Sequence, residues 1–65
     1  MRRFIIVSSM DDTAQHAKLL EVTENGTKVL ADFHSHDWYN DGAIKLAKER
    51  LVEFRGLVAF DLVKI

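Results

Sequence analysis

The chain contains no cysteine and no proline among its 65 residues. Without cysteine it has neither disulfides nor a thiolate zinc site to stabilise a small fold. A domain of this size buries only about 60% of the surface that its unfolded chain exposes, so its stability depends on a small core or on association with another chain. The lack of cysteine is also typical of a reducing compartment, and we expect a cytoplasmic protein.

An excess of charge of one sign is lacking too, because nine basic and ten acidic residues leave a net charge of −1. Such a balance provides no broad field that would attract nucleic acid or an acidic membrane. No apolar run approaches the ~20 residues of a membrane-spanning helix. The run after Arg2 and Arg3 stops at Ser8, short of the roughly 7–15 apolar residues of a signal peptide. We therefore interpret it as a strand and expect one soluble domain over residues 1–65 with no membrane partner.

Two alternating apolar runs, 18–24 and 27–33, flank Asn25-Gly26. Asn followed by Gly favours the positive φ angles of a type I′ turn, so the sequence predicts a hairpin with a two-residue loop. That register pairs Val22 with Val29, and it decides which side chains share a face. The predicted core side of the hairpin is Leu20, Val22, Val29, Ala31 and Phe33. The predicted outer side is Leu19, Glu21, Thr23, Lys28, Leu30, Asp32 and His34.

Strands are also predicted at both ends of the chain, over 3–9 and 57–65, because these segments are rich in β-branched residues and apolar on both faces. Before the last strand, apolar residues recur at helical spacing from about Asp41 to Phe54, and Gly56 is placed to end the helix. Ser35, Asp37 and Asn40 are candidate caps for its start. The stripe predicted to pack on the sheet is Ala43, Ile44, Ala47, Leu51 and Phe54.

The order β-β-β-α-β predicts a single small α+β domain, with a mainly antiparallel four-stranded sheet and one helix packed on one face. Because a crossover through a helix joins parallel strands, we expect the last strand beside the first, in the sheet order three-two-one-four. One helix leaves the other surface of the sheet uncovered, and we call that surface the open face. A contiguous apolar patch there would mark a contact surface, unless the loop 10–15 folds over it.

The chain shows no arrangement of residues that indicates an enzyme. Ser8, Ser9 and Ser35 lie in no nucleophile elbow, and the three glycines are explained by turns and helix ends rather than by a phosphate-binding loop. We expect no catalytic residue and no cofactor.

The segment 34–36, His-Ser-His, resembles the H-S-H motif of zinc-dependent JAMM proteases. Ile44 and Ala47 occupy the positions of that family's further Ser and Asp ligands, so the resemblance ends there, and we expect no metal site. A zinc site built from His34 and His36 stays as an alternative. His16, Asp37 or Asp41 would complete its four ligands.

We expect the open face to bind a protein, together with the aromatic pair before the helix, because Trp and Tyr dominate binding hot spots. The other interpretation of the pair is that Trp38 plugs the end of the core. The predicted partner-binding residues are Leu19, Glu21, Lys28, Leu30, His34, Trp38 and Tyr39.

Two alternatives stay open. The first is a homodimer in which two open faces pack together. The second is nucleic-acid binding by a basic set, although Glu49 and Glu53 lie among its members. That set is Arg2, Arg3, Lys45, Lys48 and Arg55.

The second half of the chain has a strand–helix–strand layout in three segments. They are Val29-Leu30-Ala31-Asp32-Phe33, Asp41-Gly42-Ala43-Ile44-Lys45-Leu46-Ala47-Lys48-Glu49 and Gly56-Leu57-Val58-Ala59-Phe60. In size and layout they are similar to small bacteriophage-encoded proteins that disable host machinery, such as phage inhibitors of bacterial RNA polymerase and compact β-rich anti-CRISPR proteins. The resemblance implies a non-enzymatic inhibitor, encoded by a phage or mobile element, that occludes a surface of a larger host protein. It carries over no functional residue.

Overall fold

Four strands and one α-helix form the structure, a computed structural model that describes residues 3–65. The elements are β1 (Arg3–Met10), β2 (Gln15–Thr23), β3 (Gly26–Ser35), a 3₁₀ turn (Trp38–Asn40), α1 (Gly42–Arg55) and β4 (Asp61–Lys64). The predicted α+β class and the order β-β-β-α-β are confirmed.

The strands lie in the order β3-β2-β1-β4. β1–β2 and β2–β3 are antiparallel, whereas β4 runs parallel to β1, from Ile5 opposite Asp61 to Ser8 opposite Lys64. The predicted sheet order is therefore confirmed, including the position of the last strand, which follows from the crossover through α1.

The core lies between α1 and one face of the sheet. Its buried apolar side chains are Phe4, Ile6, Ala17, Leu19, Ala43, Ile44, Ala47 and Leu51. The two core alanines of α1 have short side chains, which lets the helix approach the sheet closely. The predicted helical stripe is confirmed except for Phe54, which is 42% exposed. Its ring lies on the Arg50 guanidinium, 5.4 Å from it, with Phe33 at 5.3 Å from the same group.

A glutamine of β2 caps the start of α1. The Oε1 atom of Gln15 accepts hydrogen bonds from the N–H groups of Ala43 (3.0 Å) and Ile44 (3.4 Å). Its Nε2 atom donates to Asp41 Oδ1 at 3.2 Å. Asp41 occupies the N-cap position in the left-handed region, at φ 54, and its own side chain makes no capping bond. The three predicted caps are thus wrong, because a buried residue of the sheet satisfies these helix N–H groups.

The hairpin turn differs from the prediction. Thr23 pairs with Gly26, so the loop residues are Glu24 and Asn25. Among residues 3–65 the only non-glycine residue with positive φ is Asp41, which excludes a type I′ turn at Asn25. The positive φ of 123° belongs to Gly26, the residue after the two loop positions, as in hairpins whose turn ends in a bulge.

A β-bulge then changes the register of the hairpin. Leu20 pairs with Val29, but Leu19 pairs with Ala31, so Leu30 is an extra residue in β3. Leu30, Ala31 and Phe33 all pack against the core. The bulge interrupts the alternation of β3 and gives this edge strand two consecutive residues that contact the core.

β4 is shorter than the predicted strand 57–65. The helix ends at Arg55, and Gly56 follows with φ 79, as the sequence predicts. With Ile5 opposite Asp61, residues 57 and 58 have no partner in the described part of β1. Leu57 is accordingly 93% exposed.

The bulged register can be tested by comparing two apolar truncations. Leu19 is fully buried under α1, whereas Val29 is 56% exposed on the opposite face. Leu19→Ala is expected to lower the free energy of unfolding by about 2–5 kcal/mol, and Val29→Ala by less than about 1 kcal/mol. Urea unfolding of both variants measures the difference. The unbulged register places these residues the other way round, so a larger loss for Val29→Ala would contradict the structure.

Two arginine pairs provide a second test. Arg55 Nε lies 3.4 Å from Oε2 of Glu21, whose side chain is buried, whereas Arg3 and Asp61 form an exposed pair at 2.9 Å. Arg55→Ala is expected to lower the free energy of unfolding by about 1–3 kcal/mol, because a buried carboxylate loses a charged partner. Arg3→Ala is expected to change it by no more than about 1 kcal/mol, as for surface pairs in general. Equal losses would show that Arg55 adds nothing beyond a surface contact.

Candidate interaction surface

The open face carries six apolar side chains from all four strands, which we call the apolar patch. They lie opposite the core side because side chains alternate along each strand. The apolar patch consists of Ile5, Val7, Leu20, Val22, Val29 and Val63.

The register places these side chains side by side. Val29, Leu20 and Ile5 lie level with one another across β3, β2 and β1. Val7 and Val63 lie level in the next row. Val29 is 56% exposed and Val63 45% exposed, so the apolar patch faces solvent.

The loop between β1 and β2 leaves the apolar patch uncovered. Its contacts are with histidines: Asp11 Oδ2 lies 2.7 Å from His16 Nε2, and the Thr13 carbonyl accepts a hydrogen bond from His36 Nδ1 at 2.8 Å. The loop thus contacts the histidine end of the open face, and these contacts give no support to the alternative prediction that it folds over the apolar patch.

The bulged register moves four predicted contact residues away from the open face. Leu19 and Glu21 are buried under α1, and Leu30 packs against the core. Lys28 pairs with Glu21 and shares its side of the sheet, although its own side chain is exposed. The predicted placement of these four residues on the open face is wrong, because the prediction assumed an unbulged hairpin. His34 does lie on the open face, as predicted.

Charged side chains of both signs border the apolar patch. Lys18 and Asp32 are exposed and lie opposite each other on β2 and β3. At the other end of the patch, Arg3 donates a hydrogen bond to Asp61 at 2.9 Å. An apolar centre with charges around it is the usual composition of a protein–protein interface.

Three histidines lie at the end of the open face, beyond Lys18 and Asp32. His16 and His34 lie opposite each other with ring centres 6.1 Å apart, and His36 lies edge-on to His34 at 6.3 Å. Because a carbonyl oxygen only accepts, His36 Nδ1 is the donor to Thr13. Within residues 3–65 no group of three or more His, Cys, Asp or Glu side chains is arranged to hold a metal ion. The alternative of a four-ligand zinc site thus has no support there.

The aromatic pair before the helix is solvent-exposed. Trp38 and Tyr39 stack on each other, with ring centres 4.1 Å apart and planes 18° apart. Tyr39 is 83% exposed and Trp38 about half as much, so Trp38 is no buried plug. Trp38 instead lines an open cavity of about 290 Å³ with side chains from the ends of β1 and β4. That volume is at the lower limit for small-molecule sites.

The basic residues of the nucleic-acid alternative are not brought together. Arg3 pairs with Asp61 beside the open face, whereas Arg55 pairs with Glu21 on the helix side. Lys45 and Lys48 lie on the exposed surface of α1. The fifth member, Arg2, is outside the described residues.

The chain matches no protein-family model, no curated protein and no solved structure. In the described range 3–65, no helix is long and apolar enough to cross a membrane.

The loop carboxylate of Asp11 gives a pH-dependent contribution to stability. The backbone N–H groups of Thr13 and Ala14 donate to it at 2.8 Å each. These bonds, with the contact to His16, hold the pKa of the Asp11 carboxyl well below its usual range. Its stabilising effect is therefore present above the unfolded-state pKa of about 3.9 and is lost as the pH falls through the lower folded-state pKa.

We expect wild type to be more stable than Asp11→Asn at pH 6, and this difference to shrink as the pH falls below about 4. Urea unfolding in metal-free buffer from pH 6 to pH 2 measures it. A difference that stays constant over this range would mean that the charge of Asp11 has no such role.

Proposed function

We propose that the protein is a non-enzymatic protein-binding domain that covers a surface of a larger partner with its open face. The observation that carries the proposal is the apolar patch, which joins four strands and faces solvent. Contiguous exposed apolar patches with polar residues around them mark interaction sites on proteins.

The open face supplies the greater part of a contact of ordinary extent. The 8, 9, 10 and 4 residues of its four strands, spaced about 3.3 Å along the strands and about 4.8 Å across them, give a face of roughly 500 Å² in projection. An interface of standard size buries about 800 Å² on each partner. The apolar patch would then form the centre of the interface, and the bordering charges and histidines would form its rim.

The chemistry of the partner follows from this surface. A flat apolar centre requires an apolar area on the partner, and a rim of both signs requires partner charges of both signs rather than a strongly basic or acidic surface. Exposed Tyr39 lies outside the apolar patch and would add to the contact only on a partner that reaches around the sheet.

Inhibition by occlusion is the mode of action that we propose for this contact. A small domain that binds with one whole face blocks the surface beneath it without needing chemistry of its own. The size and layout that this chain shares with phage-encoded inhibitors of host proteins support a host protein as the target. This part of the proposal rests on that resemblance alone.

The test pairs two substitutions of the same kind on opposite sides of the molecule. Val29 in the apolar patch is 56% exposed and Val52 on α1 is 47% exposed. Val29→Glu places a charge in the apolar patch, while Val52→Glu places the same charge on the outer surface of the helix. Proteins captured from a bacterial lysate by wild type and both variants are identified by mass spectrometry, and each candidate is then purified for direct titration.

We expect a purified partner to bind wild type and Val52→Glu equally, and Val29→Glu at least tenfold more weakly, since one buried charge costs more than about 1.4 kcal/mol. The activity of that partner should fall in parallel with binding. A partner that binds Val29→Glu as tightly as wild type would contradict the role of the open face. A partner that binds but keeps full activity would contradict occlusion.

A further inference from the structure

We propose that His16 and His34 form a two-imidazole binding site for a divalent transition metal on the open face, with zinc as the test ion. Imidazole nitrogen is a preferred ligand of zinc, copper and nickel. The site is independent of the proposed protein partner, because it needs only these two side chains and the loop that supports them.

The backbone places the two rings at a suitable separation. His16 and His34 are paired residues on neighbouring antiparallel strands, and their ring centres are 6.1 Å apart. A zinc–nitrogen bond of about 2.0–2.1 Å puts each ring centre about 3.2 Å from the ion, so two rings on a tetrahedral ion have centres about 5 Å apart. The rings are thus about 1 Å farther apart than on a bound ion, and rotation about the side-chain χ angles can bring them closer.

The loop between β1 and β2 supplies the outer hydrogen bond that metal-binding histidines usually make. Asp11 Oδ2 lies 2.7 Å from His16 Nε2, and two backbone N–H groups hold this carboxylate in place. With Nε2 donating to Asp11, the Nδ1 atom of His16 carries the free lone pair. A carboxylate on the distal nitrogen fixes the tautomer and the ring orientation of a metal-binding histidine.

His36 is a natural control for this pair. It lies 6.3 Å from His34, but it follows the end of β3 and has no paired residue on β2. Its Nδ1 atom is engaged by the Thr13 carbonyl at 2.8 Å. Since no set of three ligands converges within residues 3–65, the pair supplies two positions of the tetrahedron. Water, or a side chain of a molecule that covers the open face, completes the sphere.

Zinc chloride is titrated at pH 7.5 into metal-free wild type, into His16→Gln, His34→Gln and His36→Gln, and into Asp11→Asn. Calorimetry gives the dissociation constant, and proton–carbon spectra of the imidazole rings show which histidines respond. Circular dichroism and urea unfolding confirm that each variant is folded. All three histidines are at least partly exposed, so these substitutions leave the core intact.

We expect His16→Gln and His34→Gln each to weaken zinc binding at least tenfold, and His36→Gln to change it less than twofold. Asp11→Asn is expected to weaken binding about 10- to 100-fold, because the outer carboxylate is lost. Three equal losses, or a larger loss for His36→Gln than for His16→Gln, would overturn the assignment to this pair. Wild-type binding only at millimolar zinc, without a response of the His16 and His34 rings, would overturn the site itself.

Discussion

Two polar side chains of β2 hold the two ends of α1 over the sheet. Gln15 accepts hydrogen bonds from the N–H groups of Ala43 and Ile44 in the first turn of the helix, and Glu21 pairs with Arg55, its last residue. The six positions from Gln15 to Glu21 span about 20 Å at ~3.3 Å per strand residue. The 14 residues of α1 span about 21 Å at ~1.5 Å each. The strand segment thus matches the helix in length. The contacts of Gln15 and Glu21 with the two ends of α1 therefore set the direction of the helix along β2.

The same strand decides what the opposite surface contains. Between Gln15 and Glu21, the side chains of Ala17 and Leu19 point to the helix and form part of the core. The alternating residues of β2 therefore point away from it, and they are the His16, Lys18, Leu20 and Val22 of the open face. One short strand accordingly supplies a buried half and an exposed half, and the exposed half contains a metal-binding side chain, a charge and part of the apolar patch.

Chain order and periodicity are sufficient to predict the class, the strand order and the helix. The apolar residues from Ala43 to Leu51 recur at a spacing that a helix brings onto one face. A helical crossover after a hairpin allows few arrangements of the four strands. The face of the hairpin could not be predicted in the same way, because Leu19 and Leu20 are both apolar and either can point to the core. Only the bulge decides between them, and its sequence signal is the run of three apolar residues 29–31 in an otherwise alternating strand.

Two other contacts, the cap of α1 and the histidine pair, cannot be recognised from residues that are close together in the sequence. Gln15 lies far from Ala43 in the chain, so the hydrogen bond between them cannot be predicted from a local capping motif. The pairing of His16 with His34 also depends on the bulged register rather than on the spacing of the histidines. In the sequence, only Ser35 separates His34 from His36, whereas His16 lies 18 positions before His34.

The position of β4 has a consequence for the nascent chain. β1 has apolar residues on both faces, and β4, the last of the four strands to be synthesised, lies along its free edge. Until β4 docks, the backbone N–H and C=O groups along that edge are a template on which a strand of another chain can add. β4 then replaces this long apolar edge with four residues, of which Asp61 and Lys64 are charged. β4 therefore covers the edge of β1, and a chain truncated before it would leave that edge open to strand addition.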